Sequence, residues 1–206
     1  DGERLPSVTN IISMTKKTEE KEALEKWKRE NKDSEIILKE SSNRGTLMHG
    51  YLSEMLMGKM NGELIEEVNL PKKMAETIIS HGLNDYVKEV YASEECVYSL
   101  KYKYAGTMDA LISTKENKLQ ICDFKQKNSP AKREYSSIRN YFTQCILYAI
   151  AHNEIYGTKI QSSVILMCTP NLIFQKFEIE GQEFMDLQKE ALERVEHYHQ
   201  LISKSI

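Results

Sequence analysis

The sequence predicts an α/β domain with a helical N-terminal part, and three observations lead to this prediction. Apolar residues recur at helical spacing through the first 91 residues. Three short segments with strand-like alternation follow, and a helix, two strands and a helix complete the chain. The length of 206 residues and the hydrophobic fraction of 40% are typical of about one globular domain. We therefore expect a single domain over residues 1–206, with helices over about 1–92 and the core over about 93–206.

Composition excludes several classes of protein. No run of about eighteen apolar residues is present, so the sequence predicts no membrane-spanning helix. The four cysteines lie 23 or 26 residues apart without a CxxC pair, and this spacing favours free thiols over a zinc ribbon or a disulfide framework. The formal net charge of −3 argues mildly against a nucleic-acid partner.

The N-terminal part is predicted to contain three helices. A charge-rich segment around the only tryptophan, Trp27, forms the first helix. Leu47, Tyr51 and Met55 recur at helical spacing in the second, and the third begins after Pro71. The predicted helices cover residues 18–30, 42–58 and about 72–91.

The segments that follow are shorter and alternate with period two, as strands do. Three predicted strands cover residues 94–104, 106–113 and 119–126, and tight turns would join them into an antiparallel meander. A helix over about 137–156 ends at Gly157. Two strands, over 160–169 and 172–179, and a helix over about 182–203 complete the prediction.

Two carboxylates of the meander are the most informative residues about function. Asp109 and Asp123 lie within otherwise apolar strands, where an ionised carboxylate is costly unless it is paired or binds a metal. Asp123 and Lys125 are two residues apart, so both side chains point to the same face of a strand. Pairing across the turn would bring Asp109 near them, and two carboxylates with a lysine suit metal-assisted phosphodiester hydrolysis. An ordinary ion pair on an edge strand, with Asp109 as a solvated acid, is the simpler alternative.

Other residues extend this pattern, although each has a plain structural interpretation. Glu94 stands at the end of the third predicted helix and could add a carboxylate, and Glu95 is a rival for the same role. His49 lies in the middle of the second predicted helix, where a hydrogen-bonded histidine without a functional role is common. Gln144 and Tyr148 are four residues apart on one helical face, where simple packing would also explain them.

In this order, the histidine, the acid, the strand aspartate, the Asp-x-Lys pair and the Gln-x-x-x-Tyr helix resemble the RecB-type branch of the PD-(D/E)XK nuclease superfamily. The sequence is most similar to the mitochondrial genome maintenance exonucleases and related single-strand DNA exonucleases. Leu-Pro-Ser-Val-Thr at 5–9, Glu-Lys-Trp-Lys at 25–28 and the tract from Glu94 to Asp123 support the resemblance, which extends over about residues 5–200.

The resemblance implies both a fold and a set of site residues. The fold would be a PD-(D/E)XK restriction-endonuclease-like core, in which helices flank a mixed central sheet that contains the meander. A divalent metal, Mg²⁺ or Mn²⁺, would be held by His49, Asp109, Asp123 and the backbone carbonyl of Phe124. The residues with implied catalytic roles are Lys125, Asp123, Asp109, Glu94, Gln144 and Tyr148.

Two positions depart from the pattern of this branch. Met108 replaces the proline of the Pro-Asp motif, a change that leaves the ligands untouched. Gln126 replaces the threonine that often follows the lysine, which leaves the orientation of the groups around the site open. Iron–sulfur relatives carry one early cysteine and a late cysteine cluster, and the cysteines of this chain do not match that spacing. We therefore expect no iron–sulfur cluster.

A basic segment follows the third predicted strand. Between Lys125 and Arg139, five basic residues stand against one acid, and aromatic residues are interleaved with them. Proteins that bind single-stranded DNA combine basic and aromatic residues in this way, although a solvated loop is the alternative. Arg44, close to His49, could form the opposite wall. The predicted DNA contacts are Arg44, Lys127, Lys132, Arg133, Arg139, Tyr141 and Tyr148.

Together these features favour a metal-dependent exonuclease that hydrolyses single-stranded DNA from free ends or flaps during DNA maintenance, replication or repair. By resemblance, the first helices would form an arch through which a free end threads. Two alternatives are a phage-type recombination nuclease that resects duplex ends and a catalytically inactive DNA-binding domain of the same fold. We expect a monomer without a membrane partner, in the mitochondrial matrix or, if a phage encodes it, in the bacterial cytoplasm.

Overall fold

The computed structural model describes residues 4–58 and 69–204, which form a five-stranded mixed sheet with helices on both faces. In their order across the sheet, the strands are β1 (Val87–Ser99), β2 (Tyr104–Thr114), β3 (Leu119–Gln126), β4 (Ser162–Cys168) and β5 (Phe174–Glu180). The helices are α1 (Val8–Met14), α2 (Thr18–Glu30), α3 (Ser34–Leu56), α4 (Leu70–Ile78), α5 (Ser136–Tyr156) and α6 (Gly181–Ser203). A π-helical turn over Ile79–Leu83 continues α4.

Apolar residues that alternate along the strands build one core on each face of the sheet. Leu111 and Ile121 pack with side chains of α1, α5 and α6. Ile112 and Phe124 pack on the other face with side chains of α3 and α4. The first three strands form the predicted antiparallel meander, and β5 lies antiparallel to β4. Strands β3 and β4 are parallel, and α5 supplies the crossover that a parallel pair needs.

The pairing of β2 with β3 is short and creates a fork in the sheet. Their ladder runs only from the Ser113–Leu119 pair to the Ala110–Cys122 pair. Beyond that point β2 continues beside β1 as far as Tyr104, whereas β3 continues beside β4 as far as Gln126. Asp109 and Asp123 are therefore the first residues past the split on its two arms.

The third predicted helix is shorter, and the first strand starts earlier, than the sequence suggests. Helix α4 and its π-helical turn end at Leu83, and β1 begins at Val87 instead of residue 94. Val87 and Val90 fit the apolar face of a helix by spacing, but they reach the α3–α4 core from a strand. The prediction that Glu94 lies at a helix end is therefore wrong, and the domain boundary placed near residue 92 falls inside β1.

Other predicted bounds agree more closely with the structure. Helix α2 and strand β3 have the predicted limits, and Gly157 ends α5 in the left-handed conformation, with φ of 66°. Helix α3 begins at Ser34 rather than residue 42, and residues 100–103 form the turn to β2 instead of continuing the first strand. None of the helices within residues 4–58 and 69–204 has the length and apolar character needed to cross a lipid bilayer. Cys96 is exposed, the other three cysteines are buried, and all four are free thiols.

Candidate active site at the fork of the sheet

Asp109 bridges the two arms of the fork. Its Oδ2 accepts a hydrogen bond of 2.7 Å from the backbone N–H of Phe124, which lies beyond the last β2–β3 pair. The carboxylate is buried, with 8% of the residue exposed. Burial raises the pKa of Asp109, but the charge of Lys125 and the contact with His49 outweigh it, so the pKa lies below its usual value. Asp109 is thus held as a carboxylate at the split.

Asp123 and Lys125 point to the same face of β3, as their spacing predicts. Lys125 Nζ lies 2.6 Å from Asp123 Oδ2 as a close ion pair. Asp123 is 1% exposed, and neither of its carboxylate oxygens accepts a hydrogen bond of good geometry within the described part of the chain. Burial raises the pKa of Asp123 to about 7, although the nearby Lys125 charge opposes this shift. Oδ2 has Lys125 as its partner, but the buried Oδ1 has none in the described part of the chain, and a buried carboxylate oxygen needs one.

His49 reaches the fork from α3. Its Nδ1 lies 3.5 Å from Asp109 Oδ1, and its ring stands edge-on to Phe124 with 6.3 Å between the ring centroids. Burial lowers the pKa of His49, but the contact with Asp109 raises it by more, so the pKa lies above its usual value. The histidine predicted from the middle of a helix therefore does meet the strand aspartate.

Glu94 lies on β1 directly across from Asp109, between the Ser93–Ala110 and Glu95–Met108 pairs. Its φ of 54° is in the left-handed region, which is strained for a residue with a side chain and typically costs about 1–2 kcal/mol. Partial burial and the neighbouring Asp109 charge raise the pKa of Glu94. Strain of this kind is concentrated at functional sites. Sequence reasoning selected Glu94 but had no signal for its backbone conformation.

Three of these side chains form a candidate divalent-metal site. His49, Glu94 and Asp109 each offer one ligand atom, and these atoms lie within 4.8 Å of one another. Carboxylate oxygens with one imidazole nitrogen can together hold a divalent cation. Asp123 is not one of the three, but its buried Oδ1, which has no partner in the described part of the chain, lies on the other arm of the fork, where a cation could partner it. The residues present therefore fit a divalent metal.

Glu95, the rival acid, lies outside this group. It pairs with Met108 in the β1–β2 ladder and is near enough to His152 of α5 for its charge to act on that histidine. Glu94, one residue earlier, is the acid that meets Asp109. Of the two alternatives left open by the sequence, the structure therefore brings Glu94 to the cluster.

Gln144 and Tyr148 lie on α5, which packs against β2. Gln144 Nε2 donates a 3.0 Å hydrogen bond to the Tyr148 hydroxyl. The Tyr148 ring packs against Gly106 of β2, where a Cβ atom would come within 2.6 Å of Tyr148 Cε1. Only 3% of Tyr148 is exposed, so its ring has little surface for a DNA strand. The pair packs against β2, close enough to the fork for the charges of Asp123, Lys125 and Asp109 to act on the Tyr148 hydroxyl.

The site opens on both sides of α3. One cleft, of about 650 Å³, lies between α3 and β1 and is lined by His49, Ser53, Glu54 and Glu94 among others. A second cleft, of about 350 Å³, is lined by Leu38, Ser41, Ser42, Gly45, His49, Lys125 and Gln126. His49 lines both clefts, so a substrate could reach the fork from either side of the helix.

The predicted DNA contacts divide into two groups. Tyr141 is half-buried beside the site, with its ring centroid 5.2 Å from Lys125 Nζ. Lys127 Nζ lies 3.1 Å from Ser137 Oγ, to which it donates a hydrogen bond. The guanidinium of Arg44 donates to Gln126 and Asn128 at the end of β3. These three residues, Tyr141, Lys127 and Arg44, lie close to Lys125 in space or along β3.

Of the other three predicted basic contacts, two are ion-paired with acids and one is exposed. Arg133 donates to the Glu183 carboxylate, and Arg139 is ion-paired with Glu190, both on α6. Lys132 is exposed in the loop before α5. The local positive excess counted from the sequence is therefore partly neutralised by acids about fifty residues later in the chain, which the sequence count could not include.

Comparison with known proteins adds a likeness in fold. No protein-family model matches this sequence, and none of the curated proteins does. A candidate exonuclease from Eubacterium rectale superposes with a TM-score of 0.52 at 19% identity, over 78% of this chain and 66% of that chain. A phage-related exonuclease from Haemophilus somnus 129PT reaches 0.39 at 16% identity, over 77% and 83%. An alkaline exonuclease from Laribacter hongkongensis reaches 0.31 at 14%, over 76% and 84%.

The likeness is one of fold. At 19% identity the similarity to the Eubacterium rectale protein concerns the arrangement of helices and strands, and this chain spans 66% of that protein's chain, just under two thirds. The five-stranded mixed sheet with flanking helices is thus an architecture that a candidate exonuclease also has. What that protein does is not transferred to this chain by its fold alone.

Proposed function

We propose that this protein is a metal-dependent DNA exonuclease of the RecB-type branch of the PD-(D/E)XK superfamily, acting on single-stranded DNA from free ends or flaps. The observation that carries the proposal is the convergence of Asp109, Asp123 and Lys125 at the fork, with His49 and Glu94 beside them. Three acids, a histidine and a lysine from four separate segments have no common structural purpose in an otherwise apolar sheet. The fold likeness to a candidate exonuclease supports the same conclusion.

In this proposal His49, Glu94 and Asp109 hold the metal, with Asp123 and the Phe124 carbonyl as further ligands from the other arm. A bound divalent cation offsets charge on the scissile phosphate and lowers the pKa of a coordinated water. Lys125 Nζ lies 2.6 Å from Asp123, one of the proposed metal ligands. It would donate hydrogen bonds to the attacking water or to a phosphate oxygen. Tyr141, next to Lys125, would help to position the strand.

Preference for a single strand is supported by the surroundings of the site. The two clefts on either side of α3 have volumes of about 650 and 350 Å³ and are separated by one helix. A single strand that enters the smaller cleft would meet His49 and Lys125, whereas a duplex is a much wider ligand than either cleft. Basic and aromatic side chains near the smaller cleft suit a flexible, sequence-independent ligand.

The test is digestion of end-labelled single-stranded and duplex DNA in Mg²⁺, in Mn²⁺ and in EDTA. We expect metal-dependent release of short products from linear single strands and at least about a hundredfold loss of rate in Lys125→Ala. Lys176→Ala is the matched control, because Lys176 pairs with Glu178 two residues away on β5, as Lys125 pairs with Asp123 on β3. The control should digest DNA at the wild-type rate.

Each component of the proposal has an outcome that contradicts it. Wild-type rates in Lys125→Ala, or cleavage that persists in EDTA, would refute metal-dependent hydrolysis at the fork. Equal digestion of circular and linear single strands would refute the need for a free end. Faster digestion of duplex ends than of single strands would favour the alternative of a duplex-resecting nuclease. Binding without any cleavage would favour an inactive DNA-binding domain.

A further inference from the structure

Helix α3 carries His49 across the fork, and its two halves are held very differently. In the C-terminal half, Met48 and Leu52 are fully buried in the core shared with α4. Between Ser34 and Met48, a stretch that the structure describes completely, no side chain of the helix is buried. The N-terminal half therefore needs some other attachment if it is to keep a fixed orientation over the fork.

That attachment is made by one side chain at the end of β3. Gln126 Nε2 donates to the backbone carbonyl of Ser41 at 2.8 Å and to Ser41 Oγ at 2.7 Å. Its Oε1 accepts a 3.0 Å hydrogen bond from Arg44 Nε, and Arg44 also donates to Asn128. We call Ser41, Arg44, Gln126 and Asn128 the α3 clamp. Because a carbonyl only accepts and a guanidinium only donates, these partners fix which end of the Gln126 amide faces which residue.

The clamp also brings the helix close to the strand. A Cβ atom at Gly45 would lie 3.5 Å from Gln126 Cγ, so the backbone of α3 is within ordinary packing distance of this side chain. On the other side of the site, Ser93 of β1 donates a 3.2 Å hydrogen bond to Ser53 of α3. His49 thus lies between a tie to β3 and a tie to β1.

We propose that Gln126 is a positioning residue, which fixes α3 over the fork and so holds His49 beside Asp109. The inference rests on the proposed function for its catalytic meaning. A side chain on an α-helix reaches about 5–6 Å from the axis, so a roll of about 10° moves the imidazole by about 1 Å. His49 Nδ1 is 3.5 Å from Asp109 Oδ1, and a shift of this size would change its fit to a shared ligand. The competing explanation is that Met48 and Leu52 alone fix the helix.

The experiment compares Gln126→Ala with Gln175→Ala in two measurements. Gln175 is a matched control because its side chain also donates to one backbone group and accepts from another, and both belong to Ala131, in the loop before α5 and not on α3. The first measurement is hydrogen exchange of the amides of residues 41–49 in the metal-free protein. The second is the Mn²⁺ dissociation constant from titration calorimetry, with MnCl₂ as the titrant.

In Gln126→Ala we expect faster exchange at these amides, by about tenfold, and Mn²⁺ binding weaker by about 10–100-fold, as is typical when a group that orients a metal ligand is removed. Gln175→Ala should match the wild type in both. Gln126→Glu retains the acceptor for Arg44 and loses the donor to Ser41, so its effects should be intermediate. This variant also keeps the test usable if Gln126→Ala does not fold.

The proposal is overturned if Gln126→Ala keeps both α3 exchange and Mn²⁺ affinity within about twofold of the wild type, because Met48 and Leu52 would then suffice. It is also overturned if Gln175→Ala causes an equal loss. Failure of the proposed function looks different, since the wild-type protein itself would then bind no Mn²⁺. In that case the exchange measurement on the metal-free protein still decides whether Gln126 holds the helix.

Discussion

The strained backbone of Glu94 leads to a prediction in which stability and function change in opposite directions. Replacement of Glu94 by glycine relieves a left-handed conformation that costs about 1–2 kcal/mol for a residue with a side chain. Glycine loses about 0.5–1 kcal/mol through the greater freedom of the unfolded chain. Removal of a carboxylate beside Asp109 favours the folded state further. We therefore expect Glu94→Gly to be more stable than the wild type by about 0.5–1 kcal/mol without metal.

Thermal unfolding in EDTA measures this gain. In a chain of this length, 1 kcal/mol corresponds to about 2–4 °C, so the melting temperature should rise by about 1–4 °C. The same variant loses a carboxylate of the candidate metal site, and its Mn²⁺ affinity should fall at least about tenfold. DNA digestion at low Mn²⁺ should fall with it.

Lys103 provides the matched control, because its φ of 55° is the same strain in the turn between β1 and β2. Lys103→Gly should gain similar stability and keep its Mn²⁺ affinity. Glu94→Gln retains the strained side chain and should lose affinity without the backbone gain. If Glu94→Gly unfolds below the wild-type temperature while Lys103→Gly does not, the strain is not stored where we place it. Unchanged Mn²⁺ affinity in Glu94→Gly would show that Glu94 is not a ligand.

Three further predictions concern the surroundings of the site. Gly106→Ala should lower the free energy of unfolding by about 1–3 kcal/mol in urea titrations, because its Cβ would clash with Tyr148 at 2.6 Å. Lys127→Ala should weaken single-strand binding in fluorescence anisotropy more than Arg139→Ala, since Arg139 is already ion-paired. Glu154 is exposed, and its slight desolvation raises its pKa less than the hydrogen bonds from Ser99, Leu100 and Lys101 lower it. Its stabilising contribution, reduced by solvent screening, is therefore present above the unfolded pKa near 4.5 and is lost as the pH falls through the lower folded pKa. The stability difference between wild type and Glu154→Gln should thus shrink from pH 7 to about pH 3.

The sequence alone predicts the structure correctly where strand alternation or a single residue at a helix end decides it. Period two placed Asp123 and Lys125 on one face, and the structure has them 2.6 Å apart. Gly157 ends α5 because the left-handed conformation suits glycine. The sequence wrongly predicts a helix around Val87 and Val90, because their spacing fits the apolar face of a helix as well as a bulged strand. Only their contact with α3 and α4 decides in favour of the strand.

Other features of the site depend on residues far apart in the chain. The ion pairs of Arg133 and Arg139 involve acids on α6, so the positive excess around them is smaller on the folded surface than in the sequence. Gln126 departs from the threonine that often follows the lysine in the nucleases that this sequence resembles, and its longer side chain reaches Ser41 and Arg44 on α3. A count of charges over a short segment cannot include partners on α6, and a comparison with a motif cannot show that Gln126 contacts α3.

The fork explains why a carboxylate that is costly in a strand is stable at Asp109. Where β2 leaves β3, the N–H of Phe124 loses its strand partner, and a buried N–H must find an acceptor. Asp109 supplies that acceptor with Oδ2, while Oδ1 faces His49. One oxygen thus satisfies the backbone at the split and the other is directed into the candidate metal site. Apolar surroundings and a functional carboxylate are therefore compatible at this position because the sheet itself needs the group there.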